Sequence, residues 1–553
     1  MPWKSSAVRS FRHIHAVAAL AIVLAMPFCA LARPTLAQPL DLAELEAAGA
    51  RIGEVRVITG DIFDTSDPEE DKLPFRVANA LHIRTQAAVI EAALLFKKGD
   101  ALSLNLIEET ERLLRSNRYL YDVQIAAVSW HDGVVDIEVR TRDTWSLDPG
   151  FSASRAGGAN STGIRLKEYN LLGTGMALSI GRSRTVDRSS NELMFSSERA
   201  FGTWTALNYS VANNSDGRRD AVSLVRPFYA LDARWAAGLS AARDDRIDAV
   251  YNAGNIVSEF RHQQQHAEAF VGWSPGRQKT WVQRWTTGIG WLDERYAPEP
   301  DRVAPAQLPD NDRLVTPFVR CELIEDRFEK LKNHNSMARP EFFAMGLAAT
   351  AQLGWASTSW GSQRNALVYS GSLSRGFELG GRQNLLTSAS ISGQYAAGQI
   401  QRLQLGARAQ YYLPHDGRWL FYASASADSL SRPMATETLL LGGDNGLRGY
   451  PLRYQNGQRR ALLTVEERVF SDAFVWRLWR VGGAAFLDTG RAWGGDALNT
   501  VNPGWLSNVG VGLRIVNVRA AFSSVLHIDL AFPLNATSDI KQLQLLVKTK
   551  ASF

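Results

Sequence analysis

The chain has 553 residues, 61 of them Lys or Arg and 56 Asp or Glu, for a formal net charge of +5. That near-balance carries no nucleic-acid footprint. A mean hydropathy of −0.17, with no long apolar run beyond the N-terminal segment, excludes a helical membrane protein but not a membrane barrel, whose alternating strands average to neutral.

Residues 1–37 read as a signal peptide. Lys4, Arg9 and Arg12 supply a basic start, and 16–28 an apolar stretch too short for a mature span. Ala30-Leu31-Ala32 and Thr35-Leu36-Ala37 offer cleavage after Ala32 or Ala37. An N-terminal anchor is the competing reading. Phe28 is too large for the position before a lipidated Cys29. Without this segment Cys321 is the only cysteine, so stability must come from burial and hydrogen bonding rather than a disulfide.

Residues 38–50, polar and Ala-rich, read as a linker. Residues 51–142 then read as a strand, two helices and a hairpin. Val55, Val57 and Ile62 mark the strand, and the acidic, Pro-containing stretch 63–80 reads as a loop. Thr85 is a candidate N-cap for a helix carrying Val89, Ile90, Ala93 and Leu94, stopped by Gly99. Asn105, with Glu108 three residues on, opens a second helix whose apolar face is Leu106, Thr110, Leu113 and Leu114. Tyr121, Val123, Ile125 and Ala127 alternate, His131-Asp132-Gly133 turns, and Val135, Ile137 and Val139 alternate back. This β-α-α-β-β unit resembles the polypeptide-transport-associated (POTRA) domain, a periplasmic module. Leu95-Phe96-Lys97-Lys98-Gly99-Asp100 is similar to its helix-to-helix joint, and 113–120 to the stretch leading into its second strand. Some other small α+β domain is the alternative.

Residues 143–553 show strands only. At the end of the chain Leu543, Leu545, Val547, Thr549, Ala551 and Phe553 share one face, and Gln542, Gln544, Lys548, Lys550 and Ser552 the other, with Leu546 the exception. One face suits lipid, the other a watery lumen. The same alternation runs through 526–532, 509–515, 403–411 and 205–211. His415-Asp416-Gly417 is a tight turn and 297–314 a Pro- and Asp-rich loop, the asymmetry of a barrel with short periplasmic and long outer connections. The 16 Trp and 14 Tyr suit interfacial girdles. The expected fold is an all-β transmembrane antiparallel barrel of 16 strands, with a soluble β-sandwich or propeller as the alternative.

Leu441-Gly442-Gly443-Asp444-Asn445-Gly446-Leu447-Arg448-Gly449-Tyr450 lies in a long connection, about 428–460, where glycines let the backbone turn tightly around one Arg. Downstream, Phe486, Asp488 and Gly490 share a strand face, so Asp488 is a lumen acceptor without a local donor. In this order the pieces resemble the BamA and TamA family, the bacterial surface antigens. There the Arg-Gly-Tyr or Arg-Gly-Phe loop folds back into the lumen, and its Arg meets the Asp of a Phe-x-Asp-x-Gly strand. The resemblance implies that Arg448, with Gly449 and Tyr450, pairs with Asp488, and that Glu466 and Arg468 join the network. 510–514 and the Asp529 strand resemble the family's closing strands. Leu545, Val547 and Phe553 resemble the terminal assembly signal of barrel proteins. Together these regions cover about the last 115 residues and the 90-residue N-terminal unit.

The resemblance implies a bacterial outer-membrane protein with its N-terminal domain in the periplasm, inserting or translocating other polypeptides. One such domain points to an accessory or specialised member. Implied partners are outer-membrane lipids, unfolded or secreted clients, and periplasmic or inner-membrane proteins through the POTRA domain. A dedicated two-partner-type exporter is the first alternative, although neither a second domain nor a plug is evident. An outer-membrane hydrolase or a passive pore is the other. No Gly-x-Ser-x-Gly or nucleotide motif occurs, so no enzyme and no cofactor are expected. His527 near Ser523 and Ser524 is read as a lumen residue, and His262 and His266, four apart in a Gln run, are assigned no metal.

Overall fold

A computed structural model describes residues 40–335, 337, 341–495, 503–517, 525–538 and 540–550. The expected signal peptide, Ser523, Ser524 and Phe553 lie outside the described residues.

The N-terminal unit is an α/β domain. Strand β1 (Arg51–Gly60) pairs in parallel with β3 (Val134–Asp143), which pairs antiparallel with β2 (Leu120–His131), giving the order β1-β3-β2. Asp132 and Gly133 both take positive φ (51° and 77°), as a two-residue hairpin that follows strand twist requires. Ile52, Ile90, Leu114, Val123 and Ile137 form the core between sheet and helices.

Several local expectations change. The stretch expected as a linker holds helix α1 (Leu42–Ala47). Asp41 caps it by accepting from the Ala43 N–H, and Leu45 packs into the core. The expected loop 63–80 contains α2 (Leu73–Leu81), which starts behind a Pro at its first turn. Thr85 caps nothing. Gln86 stands at the cap position of α3 (Ala87–Glu91), only five residues long, while Thr85 is turned toward Asp143. Helix α4 (Leu104–Ser116) begins before Asn105 and buries Ile107, Glu109, Thr110 and Leu114, leaving Leu106 and Leu113 half-buried. The order is therefore α1-β1-α2-α3-α4-β2-β3, two helices more than the sequence suggested.

From Leu147 the chain builds one closed antiparallel barrel. Twenty strands close it among the described residues, not 16. Two-residue turns such as 157–158, 253–254 and 397–398 connect adjacent strands, so less chain goes into loops than expected. The outer wall is apolar: Phe151, Leu239, Val271, Val511 and Leu545 are all exposed. The inner wall is polar, with Glu466, Asp488, Arg514, His527 and Asp529 buried. Such a wall fits a bilayer outside and water inside.

Neighbouring strands Trp235–Asn252, Asn255–Trp273 and Trp281–Pro298 run 18 or 19 residues. A bilayer needs only about 9–11 residues of strand, so these three project beyond it. Their far halves carry ion pairs instead of lipid-facing side chains, along one strand from Arg246 to Asp244 and Asp248 and across two strands from Arg261 to Asp245.

The barrel closes unevenly. The first strand, β4 (Leu147–Ala156), pairs along its whole length with β5 (Ala159–Glu168). The last, Gln544–Lys550, pairs with Val525–Pro533 from Lys550 back to Gln544. Among the described residues, first and last meet in a single registered pair, Val547 with Arg155.

Candidate lumen latch and seam

The connection between strands Trp419–Ser431 and Arg459–Val475 turns into the barrel. A small hairpin, Leu439–Leu441 with Gln455–Gly457, forms its stem. Asn445 closes the turn above it, accepting from the Gly442 N–H and donating to the Leu440 carbonyl. This geometry aims Arg448 at the inner wall.

Arg448 donates from Nε to Asp488 Oδ2 and from Nη2 to Asp488 Oδ1, both at 2.8 Å. Its Nη1 lies 2.9 Å from Glu466 Oε1 and 3.7 Å from Asp529 Oδ2. The guanidinium also stacks 3.4 Å from the Phe486 ring centroid. Both partner strands follow parity: on Trp479–Trp493 the even positions from Gly482 to Ala492 face inward, which puts Phe486, Asp488 and Gly490 on the lumen side. Thr464 and Asn508 donate to the same Asp488 carboxylate at 2.9 and 2.8 Å. Arg468 donates to Glu466 at 2.9 Å, and Arg514 to Asp529. Three buried carboxylates thus meet three buried guanidiniums, and neutrality with bidentate geometry offsets the cost of dehydrating them.

Gly449 donates its N–H to Asn508 Oδ1 at 3.1 Å. A Cβ there would lie 2.7 Å from the Asn508 Cβ and 3.1 Å from the Pro533 nitrogen. Gly449→Ala should therefore cost about 1–3 kcal/mol through overpacking, read as a lower thermal midpoint for the folded gel form. A midpoint equal to wild type would show that the loop has room there. The Tyr450 hydroxyl donates to the Ser507 carbonyl at 2.9 Å. Gly490 passes close to the Ala461 carbonyl and the Leu441 side chain, so the loop stem can rest on it.

The loop also touches both sides of the seam. Lys548, on the last strand, donates to the Gly443 and Asp444 carbonyls at 3.0 and 3.1 Å. Gly157, in the turn after the first strand, accepts from the Leu452 N–H at 3.1 Å. Leu546, the apolar exception on the last strand, points inward and packs with Ala156, Phe486 and Leu452. Leu545 is exposed on the outer wall, and Val547 pairs across the seam with Arg155. Farther round, Arg453 clamps Asp187 through two 2.7 Å bonds. Beside the loop a polar cavity of about 690 Å³ is lined by Arg408, Arg460, Glu466, Asp488 and Lys548, among others.

A second lumen element has no counterpart in the sequence reading, which found no plug. Between strands Asp312–Glu325 and Ala348–Ala356 the chain makes the short pair Phe328–Leu331 with Glu341–Ala344. This insert enters from the end opposite the latch loop. Asn335 accepts from the Tyr412 hydroxyl at 3.1 Å, His334 packs against Tyr412 and Phe343, and the His334 carbonyl accepts from Arg468 at 3.1 Å. Arg468 therefore joins two elements that enter from opposite ends. The signal available in sequence was an interval too long for a short turn, with Phe342, Phe343 and Met345 in it.

Helix α4 rests on the same end of the barrel. Lys330 pairs with Glu111 at 3.2 Å, and Arg112 lies 3.6 Å from Asp326 and 4.7 Å from the Phe328 ring centroid. Glu109 accepts from the Leu231 N–H at 2.6 Å. Burial pushes the Glu109 carboxyl above the usual carboxylate range. The folded state therefore holds this proton to higher pH than the unfolded chain does. Its contribution is complete below the unfolded pKa and is lost as pH rises through the folded one. The protection factor of the Leu231 amide, in which the intrinsic rise of exchange with pH cancels, should fall across that rise; an unchanged protection factor would show that docking ignores Glu109.

Two other candidate sites are histidines. His527 sits buried on the inner wall opposite Arg514, at the edge of the charge network. His262 and His266 lie on one strand, where four residues span about 13 Å, and His262 contacts Asp248 and the Tyr296 ring.

No protein-family model matches this chain, and no curated protein matches it. Among solved structures it is similar to BamA from Haemophilus ducreyi lacking POTRA domains 1-3, at 11% identity over 90% of this chain and 84% of that one, with a TM-score of 0.39. It is also similar to CdiB from Acinetobacter baumannii (11% identity, 90% and 73% covered, TM-score 0.45) and to CdiB from Escherichia coli (14%, 91% and 77%, TM-score 0.48). Scores of this size carry no argument, and the fold stands on the chain's own strand pairing.

Proposed function

We propose that the chain is an outer-membrane assembly barrel of the BamA and TamA kind, which passes polypeptide strands into or across the bilayer. The single observation behind this reading is the seam: among the described residues, first and last strands share one registered pair. Unpaired N–H and C=O groups on such an edge are a template for a client strand, by β-augmentation. The latch loop, anchored on Arg448, Glu466, Asp488 and the seam strands, holds the barrel closed between clients. The N-terminal domain is a POTRA domain in the periplasm.

A second reading, export of one polypeptide through the lumen, is favoured by the polar cavity beside the loop. It requires the latch loop and the opposite insert to leave the lumen. Depleting the protein and surveying outer-membrane and secreted proteins separates the two. Loss of a few barrel proteins supports insertion. Retention of one secreted polypeptide in the periplasm, with barrel proteins unchanged, replaces it with export.

A further inference from the structure

Helix α2 has no buried residue, and of its exposed side chains only that of Arg76 is polar. Leu73, Val77 and Leu81, at i, i+4 and i+8, form one stripe, and Ile83 extends it; their exposures are 72, 48, 70 and 55%. Four large apolar side chains in so short a span are not scattered surface residues. The opposite side holds the helix to its domain: Phe75 stacks on Phe63 at 4.3 Å between centroids, and Asn79 bonds the Phe63 N–H and carbonyl.

The position of the helix is fixed at both ends by the barrel rim. Before it, Asp67 and Glu69 pair with Arg477, in the turn after strand Arg459–Val475. After it, Gln86 donates its N–H to the Gly173 carbonyl and its side-chain amide to the Leu172 carbonyl, in the turn after β5. Those two turns stand on opposite sides of the seam, so 69–86 crosses beneath it. Both turns carry a large exposed apolar residue, Trp476 at 78% and Leu172 at 63%. The apolar stripe of α2 thus lies at the same rim as these two exposed apolar turns.

The geometry points to α2 as an interfacial helix that lies on the periplasmic lipid leaflet and fixes the N-terminal domain below the seam. A short amphipathic helix binds this way by sinking its apolar face to the headgroup and acyl boundary. The nearby basic residues are already paired, Lys72 with Glu69, Arg76 with Asp71 and Arg84 with Asp61. The contact is therefore apolar, and lipid charge should matter little. The inference rests on the barrel being membrane-spanning.

The test uses the full chain with Cys29 and Cys321 replaced by Ser, in nanodiscs whose lipids carry brominated acyl chains. A fluorophore is placed on a single cysteine at Val77→Cys, Leu81→Cys, Leu239→Cys on the outer wall, or Val128→Cys on exposed β2. The expected result is loss of fluorescence at 77, 81 and 239 but not at 128, equal in phosphatidylethanolamine alone and with phosphatidylglycerol added. Loss at 239 with none at 77 and 81 overturns the interfacial helix and leaves the barrel reading intact. No loss at 239 overturns the membrane reading itself. Leu73→Glu with Leu81→Glu changes only exposed positions, so the fold should persist while the label at 77 regains its fluorescence. Protection of position 77 by a client polypeptide or a second copy, without lipid quenching, also overturns the proposal.

Discussion

Arg448→Ala should expose the lumen loop to protease and lower the temperature at which the folded barrel loses its compact gel mobility. The substitution leaves the Asp488 and Glu466 carboxylates inside the wall with less positive charge than they face now. Breaking one side of a buried pair costs about 3–5 kcal/mol. Thr464 and Asn508 still serve Asp488, and Arg468 still serves Glu466, which favours the lower part of that range. Arg448→Lys should recover little, because an ammonium can neither bond both Asp488 oxygens nor stack flat on Phe486. Adding Asp488→Ala to Arg448→Ala should cost less than the sum of the two single changes, because the uncompensated charge goes with it. Wild-type mobility and protease resistance in Arg448→Ala would show that the loop is held by something else.

Asp143→Ala should loosen the N-terminal domain from the barrel. The Asp143 carboxylate is fully buried and takes three donors: the Thr85 N–H at 2.7 Å, the Thr85 hydroxyl at 2.9 Å and the His82 ring at 2.9 Å. The chain of bonds continues into the barrel, from Asn170 to the Thr85 hydroxyl and from the Gly175 N–H to Asn170. Removing the carboxylate strands buried donors at the point where β3 hands over to the first barrel strand. The expected cost is about 2–4 kcal/mol, from hydrogen bonds to a charged acceptor and the groups left unmade. It should appear as new proteolysis between the domain and the barrel and faster amide exchange at Gly175, with the barrel's own heat stability unchanged. Loss of barrel stability in parallel would mean that the two parts fold as one.

The two predictions draw on residues of different visibility. Strand Trp479–Trp493 was readable because each position has one of two solvents, and Phe486, Asp488 and Gly490 fall on one parity. Arg448 was readable because glycines surround it and the family resemblance supplies its partner. Asp143 was not, because nothing local distinguishes it from any acidic residue at a strand end; its donors come from 58 and 61 residues away. Strand number failed where alternation fails. In Asn255–Trp273 the run Arg261 to His266 is polar at every position, since that half of the strand stands clear of lipid and pairs its charges across strands. Helix α2 was hidden by the acidic stretch before it, which gives a loop-like average to a segment whose apolar residues recur every fourth position. The lumen insert was missed for a related reason: its burial depends on Arg468 and Tyr412, far along the chain.

The seam gives the most direct test of the central claim. Val547 and Arg155 stand opposite each other as its one registered pair among the described residues; directly opposed residues of antiparallel strands have Cα atoms roughly 4.5–5.5 Å apart, a separation that a disulfide bridges. Val547→Cys with Arg155→Cys, in place of Cys29 and Cys321, should oxidise to a locked barrel with normal heat stability. Introduced into depleted cells, the locked protein should fail to restore the lost client proteins, and reductant should restore them. Full restoration with the seam locked and verified on a gel would contradict lateral opening and leave the lumen as the only route.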